Sequence, residues 1–183
     1  VLDGNSYMGG MVTSKIFNNY SATSLSADQF LYLANNRINL DQQFAVSDTN
    51  GIGGWAYSGD IEYHNQNNFT SYINFEHFSK KFYVDDLGFN SRNNVEYIST
   101  GFSYLQQDPV GFVRYGSAGI SFDYAANLDD LILNRTVNIN IEFTNVNYWS
   151  TSFGFSRSFE YYDDKLTYDS ELKELGPDVK LPE

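Results

Sequence analysis

The sequence predicts an all-β fold, an antiparallel transmembrane β-barrel or a contiguous segment of a larger one, with about eight or nine strands in this chain. Three observations carry the expectation. Apolar and polar residues alternate with a period of two through segments of roughly 9–13 residues, matching the 9–11 tilted residues that a strand needs to cross a bilayer. Strands of soluble sandwiches more often run about 5–6 residues. Aromatic residues gather toward segment ends, at Trp55, Tyr57, Tyr63, Tyr124, Trp149, Tyr161 and Tyr162, where a membrane interface favours amphipathic rings. Finally, the polar parity of the best segments holds almost no large aliphatic residue, which suits water better than a packed core.

Taken in order, two weak strands are expected first, over Ser6–Ile16 and Ala27–Asn35. In "RINLDQQFAVS", Ile38, Leu40, Phe44 and Val46 oppose Arg37, Asn39, Asp41, Gln43 and Ser47. In "WAYSGDIEYH", Trp55, Tyr57, Ile61 and Tyr63 oppose Ala56, Ser58, Asp60, Glu62 and His64. "FTSYINFEHF" is less regular, because Tyr72 and Phe78 fall on the polar parity with Thr70, Asn74 and Glu76. A weaker strand spans Val95–Leu105. "SAGISFDYA" sets Ile120, Phe122 and Tyr124 against Ser117, Ser121 and Asp123. "TVNINIEFTN" has the clearest alternation, with Val137, Ile139, Ile141 and Phe143 against Asn138, Asn140, Glu142 and Thr144. In "WSTSFGFSRSFEY", Phe153, Phe155 and Phe159 oppose Ser152, Ser156 and Ser158. Successive side chains of a strand point to opposite faces, so each segment is a ribbon with one apolar and one wet surface. Turn-forming clusters such as "FNNYS", "DTNGIGG", "HNQNN", "QQDPVG" and "NLDD" separate them. Residues 1–167 are expected to hold these strands, and residues 168–183 a short helical or loose extension.

Two cations fall on the apolar parity. At the bilayer midplane each would cost about 2–4 kcal/mol, and close to nothing near an interface. Arg135 opens its strand and fits a rim, whereas Arg157 lies nearer mid-strand and requires a register shift or bulge to turn inward.

Composition narrows the function classes. A net charge of −12 argues against nucleic acid, whose phosphates need concentrated Lys and Arg, and against docking onto an anionic lipid surface, so no nucleic-acid partner is expected. The absence of cysteine removes disulfide frameworks and thiolate metal sites. No apolar run approaches the length of a transmembrane helix, about 20 residues. His64 and His77 are the only histidines, each beside a glutamate, Glu62 or Glu76. Nothing shows the three or four convergent ligands of a metal site, so neither metal nor cofactor is expected. "DTNGIGG" lacks the bidentate Glu of a calcium loop and reads as a hairpin turn. No nucleophile elbow, phosphate loop or dinucleotide fingerprint occurs, and catalysis is not expected. The Asp85-Asp86-Leu87-Gly88-Phe89 step reads as structural: Asp86 bonding nearby amides, Gly88 supplying backbone freedom and Phe89 anchoring the next strand, with Arg92 pairing Asp85 or Asp86.

Three stretches carry a resemblance: "FYVDDLGFNSRNNVEY", "GFVRYGSAGISFDYAANLDD" and "NVNYWSTSFGFSRSFEYYDDKLTYD". From about Tyr20 onward the chain resembles the barrel domain of the DUF5916 family, ascribed to the outer membrane of Gram-negative bacteria. Its members often carry an N-terminal domain like a family 9 carbohydrate-binding module. The chain departs from the family pattern after its Asp-Asp-Lys-Leu-Thr step, with Tyr168-Asp169-Ser170 where members tend to have Arg-Gly-Gly-Pro. The resemblance implies a bacterial outer-membrane location, the lipid bilayer as a partner, and a conduit or anchor working with glycan binding or uptake. On that reading Asp60, Glu62, His64, Asn138, Asn140 and Glu142 face a wet lumen and are the ligand candidates. The alternative is a soluble β-sandwich or barrel that binds carbohydrate on aromatic platforms such as Trp55 and Trp149.

Overall fold

The computed structural model describes residues 6–65, 68–84, 92–163, 168–169, 174–175 and 179–180. Nine long strands form one sheet: β1 (Tyr7–Phe17), β2 (Tyr20–Leu33), β3 (Ile38–Thr49), β4 (Ile52–His64), β5 (Phe69–Phe78), β6 (Val95–Gln106), β7 (Val113–Ala126), β8 (Ile132–Asn145) and β9 (Ser150–Ser158). Each pairs antiparallel with the next in chain order. The β3–β4 hairpin turns on Asn50 and Gly51, whose φ values of 51° and 80° are the left-handed pair that a tight two-residue turn demands. In the 168–183 extension the described residues are extended. Tyr168–Asp169 (β11) pairs with Glu174–Leu175 (β12), and Val179–Lys180 (β13) pairs with Tyr162–Asp163 (β10).

The sheet is antiparallel and all-β as expected, but it is not closed into a barrel. Closure would bring its outer edges within one strand spacing, about 4.8 Å. β1 and β9 share no ladder and remain the two edges.

Directly paired residues share a face, so the registers trace both surfaces across all nine strands. One row runs Leu31, Leu40, Ile61, Ile73, Thr100, Phe122, Val137 and Arg157. The next runs Leu33, Ile38, Tyr63, Ser71, Phe102, Ile120, Ile139 and Phe155. The β8–β9 register is continuous, with Arg157 directly opposite Val137. The bulge that could have turned Arg157 inward is therefore absent, and its side chain stays on the apolar face.

That apolar face is the exposed one. Ile73 is 49 % accessible, Ile120 50 % and Phe153 59 %. Apart from Phe82, the buried residues among those described are small and mostly lie on the opposite face, among them Ala22, Ser26, Ser47, Ala56, Ser99, Ala125 and Thr144. Curvature explains the difference. Tyr7 on β1 and Asn74 and Glu76 on β5 line one cleft, although four strand spacings on a flat sheet would separate them by about 19 Å. The polar face is concave, which crowds its short side chains, and the apolar face is convex.

Candidate functional site

The concave face is built from the polar parity of every strand. All six lumen candidates lie on it, in two groups on strands four apart. Asp60, Glu62 and His64 come from β4, and Asn138, Asn140 and Glu142 from β8. Glu62 and Asn138 occupy the same row, joined through Tyr72, Gly101 and Ser121.

Around β4 the surface is acidic. A cleft of ≈ 390 Å³ is lined by Asp28, Asp41, Asp60 and Glu76 together with Tyr7, Gln43, Ser58 and Asn74, and no cationic side chain lines it. Further along β4, His64 Nε2 lies 3.1 Å from Glu62 Oε2, and its Nδ1 lies 3.2 Å from Thr70 Oγ1. Asn39 Nδ2 donates to Glu62 at 3.4 Å. His64 is thus held between a carboxylate and a hydroxyl.

Around β8 the organising residue is Asp123. Its Oδ1 accepts from Tyr97 Oη at 2.8 Å and Ser99 Oγ at 2.7 Å, and its Oδ2 accepts from Asn138 Nδ2 at 3.2 Å. Asn138 Oδ1 in turn accepts from Ser156 Oγ at 2.7 Å. The network ties β6, β7, β8 and β9 together through side chains as well as ladders. Asn138 is therefore a structural link. Asn140 and Glu142 are exposed on the same face.

A strap formed by residues 79–84 folds onto the concave face at the end where β4 begins. Ser79 N donates to Trp55 O at 3.0 Å, Trp55 N donates to Ser79 Oγ at 2.9 Å, and Tyr83 N donates to Ser47 Oγ at 3.1 Å. Phe82, 5 % accessible, packs on Phe78 with ring centroids 5.9 Å apart. A Cβ at Gly54 would lie 2.2 Å from Lys81 O, so only glycine lets the strap approach this closely. The two aromatics on the polar parity of β5 are thereby explained. Phe78 is covered by the strap, and Tyr72 lies over Gly101, where a Cβ would meet its ring at 2.5 Å.

Several polar groups on the convex face bond to one another or to the backbone. Gln29 Nε2 donates to Gln42 Oε1 at 2.5 Å, and Thr100 Oγ1 donates to Tyr72 O at 3.0 Å. His77 stacks on Trp55 with centroids 4.0 Å apart, and its Nδ1 lies 2.9 Å from Glu96 Oε1.

Asp86, Gly88 and Phe89 lie outside the described residues, and Arg92 is half-buried just ahead of β6. Among the described residues no group of three or more His, Cys, Asp or Glu is placed to hold a metal ion. Sequence reading missed Asp123 as a hub and the grouping of Asp28, Asp41 and Glu76 beside Asp60. Parity placed Asp41, Asp60, Glu76 and Asp123 on the correct face, but only register brings them together with Asp28. The one local signal for the strap was an aromatic, Phe78, on an otherwise wet parity.

The family model described as a domain of unknown function, DUF5916, matches residues 11–172. No curated protein and no solved structure matches the chain.

Proposed function

The chain belongs to the DUF5916 family, and from that premise we propose that it is a contiguous segment of a bacterial outer-membrane β-barrel, acting as conduit or anchor alongside glycan binding or uptake. The observation that carries the reading is the inverted distribution of side chains. Large apolar residues cover the convex face from β1 to β9, while small and polar residues are buried on the concave one. Soluble monomers rarely expose an apolar patch beyond a few hundred Å². A lipid-facing sheet requires one, together with strands of this length. The shortest of the nine has 9 residues and the longest 14. The internally bonded Gln29–Gln42 pair and Thr100 hydroxyl fit an environment without water.

Hydrocarbon leaves no backbone polar group unsatisfied, so the edges of β1 and β9 require partner strands, and the nine strands are part of a larger closed wall. The concave face then lines a wet lumen whose carboxylates Asp28, Asp41, Asp60 and Glu76 favour cations and neutral sugars over anions. The glycan association rests on the family resemblance alone.

A second reading, a soluble carbohydrate-binding module, draws on the adjacent Tyr148 and Trp149, 73 % and 74 % accessible at the β8–β9 turn. Refolding the full-length protein separates the two. An SDS-resistant form that migrates differently after boiling, and that arises only with detergent micelles, supports the barrel. A folded monomer in plain buffer overturns it.

A further inference from the structure

We propose that Arg135 and Arg157 form a clamp for the phosphate of an anionic lipid at the rim of the convex face. The inference rests on the membrane reading above.

Arg135 is the fourth residue of β8, and Arg157 is the penultimate residue of β9. Phe159 N donates to Arg135 O at 2.8 Å, which sets Phe159 directly opposite Arg135. Arg157 lies two residues back on the same face. Both guanidinium carbons stand 5.1 Å from the Phe159 ring centroid, so they lie no further apart than twice that distance. That bound admits one phosphate group between two planar forks.

Two features point to an anionic ligand. Neither arginine forms an ion pair among the described residues. His77 and Glu96, on the same face, are bonded to each other, and Asp123 projects from the opposite face.

The surroundings select lipid over free phosphate. Val137 lies directly opposite Arg157, Ile139 and Phe155 form the next row, and Phe122 adjoins Val137. A phosphate at the clamp leaves its acyl chains lying along this apolar strip. A zwitterionic headgroup would bring its own cation against two guanidinium groups, so the preferred lipid carries phosphate with no compensating ammonium. The position of Arg157 on the apolar parity thereby gains a purpose.

The test is native mass spectrometry of the complete barrel that contains this chain, refolded in neutral detergent micelles, with added phosphatidic acid or phosphatidylcholine of the same acyl chains. Retention of phosphatidic acid over phosphatidylcholine is expected, weakened about tenfold or more in Arg135→Gln/Arg157→Gln, the loss of at least one charge-assisted contact. Arg114→Gln, a cation stacked on Tyr148 at the other end of the sheet, should leave retention unchanged. Equal retention by wild type and the double variant, or equal retention of the two lipids, overturns the clamp. Displacement by millimolar inorganic phosphate overturns the lipid assignment in favour of a free anion. The heat-modifiable gel form is scored on each sample. Its absence in wild type refutes the membrane reading itself, whereas its presence without lipid preference refutes the clamp alone. Arg157→Lys keeps the charge without the fork, and retention intermediate between wild type and the double variant is expected if folding is intact.

Discussion

Replacing Gly54 by alanine tests how the strap is held. The new Cβ would sit 2.2 Å from Lys81 O and 2.3 Å from both Lys81 C and Phe82 N, where ordinary carbon contacts are about 3.5–4.0 Å. Backbone cannot rotate away as a side-chain tip can, so the strap must move by more than about 1 Å. That displacement stretches the bonds from Ser79 and Tyr83 to β4 and β3 and lifts Phe82 from its site. The docked strap has about 1 kcal/mol from each of those bonds and about 1.5–3 kcal/mol from Phe82 burial. Overpacking against backbone should remove about 3 kcal/mol of this, the upper end of its usual range. The undocked population then rises about a hundredfold. Limited trypsinolysis of the folded chain at Lys80 and Lys81 reads that population when opening is fast relative to cleavage. The variant should be cut about two orders of magnitude faster there. Gly53→Ala is the control, since its Cβ would meet nothing closer than Ser47 O at 3.8 Å. Equal cleavage of Gly54→Ala and wild type would refute the argument that glycine is required by the strap.

Asp123→Ala leaves Tyr97, Ser99 and Asn138 without their shared acceptor and should lower stability by about 2–4 kcal/mol, read as the urea midpoint of the β form; Asp123→Asn should lose less. Ile73→Arg separates lipid from water. On the convex face of a membrane barrel it should cost about 2–4 kcal/mol in folding into vesicles, whereas an unchanged midpoint would place that face in solvent. Neutralising Asp41, Asp60 and Glu76 together should reduce cation over anion selectivity in bilayer conductance of the complete barrel, and unchanged reversal potentials would remove the cleft from the conduction path. Gly101→Val should expel the Tyr72 ring and destabilise the sheet by about 1–3 kcal/mol, visible as a lower temperature for the gel shift on heating.

What the sequence by itself determined was strand identity and facing. Period-two alternation is a local property, so Val137, Ile139 and Ile141 declare one surface and Asn138 and Asn140 the other whatever the strand pairs with. Only the tertiary structure decided which residues meet. Asp123 becomes a hub because the β6–β7 and β7–β8 registers place Ser99 and Thr136 directly opposite it and Asn138 within reach. Asp60 joins Asp28 and Glu76 because the sheet curls, which strand sequence does not encode residue by residue. The strap approaches Gly54 across a gap of more than twenty residues. The openness of the sheet is likewise a matter of edges, since alternation in a strand says which side chains share a face but not what pairs with the outer hydrogen-bonding groups of β1 and β9. Side-chain parity follows from the geometry of a single strand, whereas register, curvature and closure are settled by contacts between strands far apart in the chain.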